Sequence, residues 1–145
     1  SRGMAGGQAI DLASVGKPLD LTELEYMHIH KTGALIRASV LLGAQCGTPT
    51  EATLAALDHY AKCIGLAFQV VDDVLDAEAP TATLGKTAGK DAAHNKPTYV
   101  SLLGATRARE LAQELRADAH AALADLDAPA TRLRQLADFV VERNF

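Results

Sequence analysis

The chain has 145 residues, 48% of them apolar and 22% charged, with a formal net charge of −4. That length suits one domain with a fair core, while the acidic balance, the lack of any Lys/Arg run and the absence of Trp argue against a nucleic-acid partner. No apolar run is long enough to span a membrane and no signal peptide is visible. Cys46 and Cys63 fall in helical patterns as reduced core thiols, so a cytoplasmic location is expected.

Ala and Leu are abundant, which favours helix, and the patterns predict helices near 5–14, 22–44, 51–77, 99–126 and 130–143. Gly3, Gly6 and Gly7 weaken the first of these, yet Gln8, Asp11 and Leu12 keep helical spacing; a flexible tail and a short helix both remain open. Gly16-Lys17-Pro18 reads as a turn. Thr22 and Glu25 have capping-box spacing for the second helix. Its apolar stripe runs through Leu24, Met27, Ala34, Leu35, Ala38, Leu41 and Leu42. His28 and His30 have no metal-ligand spacing and are read as structural or surface residues. Thr50 or Thr53 can cap the third helix.

That third helix holds the densest information. From Tyr60 to Asp76 only Gly65 weakens it, and apolar residues cover most of its surface, so it should lie inside the fold. Gly65, Gln69, Asp72 and Asp76 share one stripe, and Asp73 borders it. Three carboxylates on a buried helix need compensation, because each would cost several kcal/mol if left unpaired in a dry interior. A hard divalent cation supplies it, since Mg²⁺ takes carboxylate, water and phosphate oxygens. Asp72, on the stripe, is the expected direct ligand, with Asp73 and Asp76 acting through waters or lysines. Residues 77–97 then read as a long mobile loop of small residues carrying Lys86, Lys90 and Lys96, either a surface linker with a solvated charge mix or a lid that closes on a bound anion. The last two helices, separated at Asp127-Ala128-Pro129, read as packing.

The run Phe68-Gln69-Val70-Val71-Asp72-Asp73-Val74-Leu75-Asp76 resembles the second aspartate-rich motif of the trans-polyprenyl diphosphate synthases, in their bacterial farnesyl diphosphate synthase branch. Gly6-Gly7-Gln8 with Asp11, His30-Lys31-Thr32-Gly33, Thr83-Leu84-Gly85-Lys86, Lys96-Pro97-Thr98-Tyr99 and Arg143-Asn144-Phe145 come in the order that family shows. The resemblance covers the chain and corresponds to the C-terminal half of such an enzyme. It implies an all-α class I isoprenoid synthase bundle, forming a single helical domain over 1–145. It implies a Mg²⁺-dependent prenyltransferase that condenses isopentenyl diphosphate with an allylic diphosphate, and a homodimer in the complete enzyme. It implies that Lys31, Thr32, Gln69 and Lys86 act in catalysis. Gln8, Asp11 and Lys96 join them around substrate, and Asp72, Asp73 and Asp76 form the metal group. The resemblance also implies that the opposing aspartate motif lies in a half absent from these residues. The chain alone is then inactive, and an apolar face of the central helix should be left open, to be covered by other chains, by the unseen half or by a rearranged packing. A longer-chain polyprenyl synthase, a terpene cyclase and a non-catalytic helical binding domain are the alternatives.

Overall fold

A computed structural model describes residues 3–78, 97–126 and 130–144, and among these all regular structure is helical. The elements are α1 (Met4–Ala13), α2 (Leu21–His28), a π-helical turn (Ile29–Gly33), α3 (Ala34–Gln45), α4 (Glu51–Glu78), α5 (Tyr99–Leu103), α6 (Ala105–Ala122) and α7 (Thr131–Glu142). The glycine-rich start is thus a helix and not a tail.

Helix starts obey local hydrogen bonding. At α2 the Asp20 carboxylate accepts from Glu23 N at 2.8 Å, and the Glu23 carboxylate accepts from Asp20 N at 3.0 Å. This reciprocal box lies two residues before the expected Thr22–Glu25 pair. Asp20 wins because it is the residue with extended backbone, ψ 173°, where a side chain can turn back onto the first turn. Thr50 caps α4, its hydroxyl accepting from Thr53 N at 3.1 Å. The expected helix over 99–126 is two helices. Gly104 has φ 80°, a left-handed conformation that ends α5 and that a side chain would strain.

The expected helix over 22–44 continues through its π turn, and that turn resets the register of α3. One extra residue per turn rotates every later side chain by about 100°. The stripe that begins at Leu24 and Met27 therefore resumes at Ile36, Val40 and Ala44, which lean on the core. The expected positions Leu35 and Leu42 are each 65% exposed, and α3 buries no residue fully.

The 28-residue α4 is the axis of the fold and packs most extensively against α6. Two core clusters lie along it. Tyr60, Ala61, Cys63 and Ile64 meet Ala119, Leu123 and Ala137 towards one end. Val70, Val71 and Val74 meet Leu24, Met27, Tyr99, Ala108 and Ala112 towards the other. Fully burying a large apolar side chain is worth about 1.5–3 kcal/mol, so these clusters hold α2, α5, α6 and α7 to one rod. Small alanines on α6 let it approach α4 closely.

Two expectations are corrected by this packing. Cys46 is exposed, not a core thiol, while Cys63 is buried, and both are free. The open apolar surface is not on the central helix. Met4 and Leu12 of α1, Leu35 and Leu42 of α3, and Leu136 and Phe139 of α7 carry it instead. The expected mobile loop falls almost wholly outside the described residues. Its lysines, Lys86, Lys90 and Lys96, lie outside them too, as does the Asp127-Ala128-Pro129 break.

Candidate active site

The π turn is clamped between two helices by glycines. A methyl group on Gly7 of α1 would lie 2.6 Å from the His30 carbonyl carbon and closer still to the Lys31 backbone. A methyl on Gly65 of α4 would lie 3.2 Å from Gly33 Cα. Backbone therefore meets backbone on both sides; at Gly7 no side chain fits, and at Gly65 one would have to push the π turn away by a few tenths of an ångström.

This clamp and its π turn carry five of the expected site residues, four of them joined by hydrogen bonds. Lys31 donates to Asp11 Oδ2 at 2.6 Å, with Asp11 buried and the Lys31 side chain 30% exposed. Thr32 donates through its hydroxyl to Gln69 Oε1 at 3.2 Å. Gln8 is half-buried on α1, one turn before Asp11. Lys31, expected to face a diphosphate, is thus already tied to a carboxylate; an anion would share it with Asp11 rather than find it isolated.

His28 belongs to the same group, although no motif spacing placed it there. It is buried, and its Nδ1 lies 2.7 Å from Gln69 Oε1. Its ring stacks on that of Tyr99, with centroids 5.6 Å apart. The available signal was its four-residue offset from Thr32, which puts both near one helix face. Tyr99 is fully buried. Burial first, then the Glu25 and Asp73 carboxylates, holds its phenol well above the ordinary range, so it stays neutral.

The aspartates lie near the end of α4 and diverge. Asp72 is exposed, and its Oδ1 accepts from Arg143 Nη2 at 3.0 Å. The same guanidinium donates to the Phe68 carbonyl at 3.0 Å and sits 4.0 Å over the Phe68 ring. Asp73 turns inward, and its Oδ2 accepts from the Tyr99 N–H at 2.7 Å, a charge-assisted cap on α5. Asp76 is half-buried. Among the described residues no three His, Cys, Asp or Glu side chains converge. No basic residue stands in the last turn of α4, so the carboxylates add to the negative pole of its dipole. That end of the helix favours a cation.

Other features lie apart from this group. Burial, then the charge of Asp118, pushes the Cys63 thiol up, away from the reactive thiolate. An open groove of about 700 Å³ beside Leu57, Leu126 and Leu133 contains none of the expected site residues. No helix among the described residues is long and apolar enough to cross a membrane.

Residues 1–129 match the family model described as polyprenyl synthetase. The chain is 53% identical over 140 residues to a probable farnesyl diphosphate synthase of Bradyrhizobium diazoefficiens, covering 94% of this chain and 42% of that protein. It is 49% identical over 146 residues to the farnesyl diphosphate synthase of Escherichia coli, covering 98% and 49%. Among solved structures it superposes on the geranyltransferase of Helicobacter pylori complexed with magnesium and isoprenyl diphosphate. That match has a TM-score of 0.77 and 36% identity, over 97% of this chain and 46% of the other. The chain thus spans less than half the length of these proteins, and its all-helical fold is shared with the H. pylori structure over that span.

Proposed function

We propose, on the premise that this chain belongs to the polyprenyl synthetase family, that it is the portion of a prenyltransferase carrying the second aspartate-rich motif. The reaction is the condensation of isopentenyl diphosphate with dimethylallyl or geranyl diphosphate, giving farnesyl diphosphate. The observation that carries this reading is the π turn, which brings Lys31 and Thr32 onto Asp11 of α1 and Gln69 of α4.

Asp72 and Asp76 offer hard oxygen donors one turn apart at a helix end with no basic residue in its own last turn, Asp72 being paired with Arg143, and this donor set fits Mg²⁺ shared with diphosphate oxygens and water. When bound, the ion supplies Lewis-acid charge neutralisation of the departing diphosphate. Asp73 braces α5 and joins the group through a water or not at all. Lys31 contributes positive charge to the allylic diphosphate while Asp11 holds its ammonium in place. Lys86 and Lys96 are assigned the same task from outside the described residues. Gln8 lines the α1 side of the substrate. Thr32 and Gln69 turn oxygen atoms towards the carbon chain, where negative ends of fixed dipoles favour developing positive charge. Apolar walls keep water from that cation. Attack by the isopentenyl double bond and loss of a proton complete the product.

The relatives named as farnesyl diphosphate synthases and the magnesium and isoprenyl diphosphate in the H. pylori protein support this assignment. We assign a homodimer and a cytoplasmic location to the complete enzyme, the latter in keeping with two free thiols. An opposing carboxylate group is needed to complete the ion cradle, so these 145 residues by themselves should not turn over. The test is steady-state synthesis by the full gene product with isopentenyl and geranyl diphosphates. Farnesyl diphosphate should form with Mg²⁺, cease with a chelator, and fall by orders of magnitude in Asp72→Ala with helix content unchanged. No prenyl product from any allylic diphosphate would sink the assignment.

A further inference from the structure

We propose that His28 is a positioning residue that sets which end of the Gln69 carboxamide faces substrate. The inference rests on the prenyltransferase reading and deepens it. An amide has two ends of opposite polarity, and only its oxygen suits a developing carbocation. Gln69 Oε1 lies 3.2 Å from the Thr32 hydroxyl and 2.7 Å from His28 Nδ1. With the amide oxygen on that side, which can only accept, the matching imidazole tautomer carries its proton on Nδ1 and donates it. Were Nδ1 bare, the amide would turn over, present its NH₂ to both neighbours, and put the positive end of its dipole beside Thr32.

The surroundings keep this arrangement rigid. His28 is buried, at the end of α2 just before the π turn. Its ring lies against the fully buried ring of Tyr99, inclined by 25°. Tyr99 is in turn fixed through its backbone N–H to Asp73. A chain of contacts therefore runs from Thr32 through Gln69, His28 and Tyr99 to Asp73, joining the carbon-chain end of the site to the aspartate end. Thr32 alone cannot set the amide, since a hydroxyl both donates and accepts; a His28 held in its Nδ1–H tautomer sets it, because that nitrogen can only donate.

The experiment compares His28→Asn, His28→Gln and His28→Leu in the full gene product. The Asn side-chain NH₂ lies near the place of Nδ1, whereas the Gln NH₂ lies near that of Nε2. His28→Leu should lower kcat by about tenfold, the worth of one buried hydrogen bond, with KM for isopentenyl diphosphate unchanged. His28→Asn should recover most of that loss and His28→Gln should not. Equal turnover in all three variants, or a rise in KM without a fall in kcat, overturns the inference. If the variants do not fold, the ¹⁵N spectrum of the wild-type imidazole decides: a protonated Nδ1 supports the proposal and a bare Nδ1 overturns it. A wild-type protein without prenyltransferase activity would instead sink the underlying assignment, leaving the tautomer result to stand as structure.

Discussion

Single atoms set the tolerances of this fold. Gly7→Ala should be among the most damaging small substitutions in the chain, because its methyl would enter the His30–Lys31 backbone, which cannot yield as a side chain would. Overpacking costs about 1–3 kcal/mol even where neighbours adjust, so a clear fall in Tm is expected. Gly43→Ala, in the last turn of α3 with open space around it, should raise Tm by restoring helix propensity. Equal effects would refute the clamp. Tyr60 makes a second prediction. It is fully buried, donates to the Leu133 carbonyl at 2.7 Å, and burial lifts its phenol from 10.0 to about 12. The folded state then holds that proton more tightly than the unfolded state does. This contribution is complete below pH 10 and is lost as pH rises towards 12. Denaturant titrations should show stability falling across that window, and less steeply in Tyr60→Phe, which should be weaker at neutral pH for want of the hydrogen bond.

At the scale of elements, the π turn controls how α2 and α3 relate. Deleting Ile29, which is exposed, should let the helix run through in α register. Circular dichroism should keep its helical signal. The side chains before the deletion would then be turned by about 100° relative to those after it, so His28 could no longer reach Gln69 on the side of Thr32. Diphosphate binding and turnover should fall sharply while the helix persists; unchanged turnover would show that the π geometry has no role. This element was half legible in the sequence. The resemblance pointed to Lys31 and Thr32 as site residues, but periodicity carried straight through them and so misplaced Leu35 and Leu42 as core. No local signal counts the extra residue. Asp20 against Thr22 as cap, and the break at Gly104, were hidden for a related reason: several residues met the local rule, and the backbone conformation, extended at Asp20 and with φ 80° at Gly104, chose among them.

The whole molecule displays more apolar surface than a solitary domain needs. Leu35 and Leu42 of α3, Leu12 of α1, and Leu136 and Phe139 of α7 are each more than two-fifths exposed. Leu35 and Leu42 lie two turns apart on one face of α3, and a large apolar face left open marks a surface that is covered in use. The 145 residues expressed alone should therefore self-associate in sedimentation experiments. Leu35→Glu with Leu42→Glu should shift them towards monomer without loss of helix, because neither side chain supports the core. A dispersed monomer in the unsubstituted chain would count against this. At this scale the sequence was most informative, since helix content and the aspartate run are plain in composition and periodicity. What it could not show was which aspartate faces where. Asp72 meets Arg143 from 71 positions away and Asp73 meets Tyr99 from 26, and neither partner is visible in the motif itself.

The bond from Tyr99 N–H to Asp73 has a use of its own. It makes a single backbone proton a reporter on the aspartate group from its rear side. In D₂O that amide should exchange slowly only while the Asp73 oxygen remains turned inward. Tracked residue by residue during a titration with Mg²⁺ and diphosphate, its exchange rate should stay constant if Asp73 remains a brace. It should accelerate if the ion draws that carboxylate out of the wall and loosens α5 as it does so.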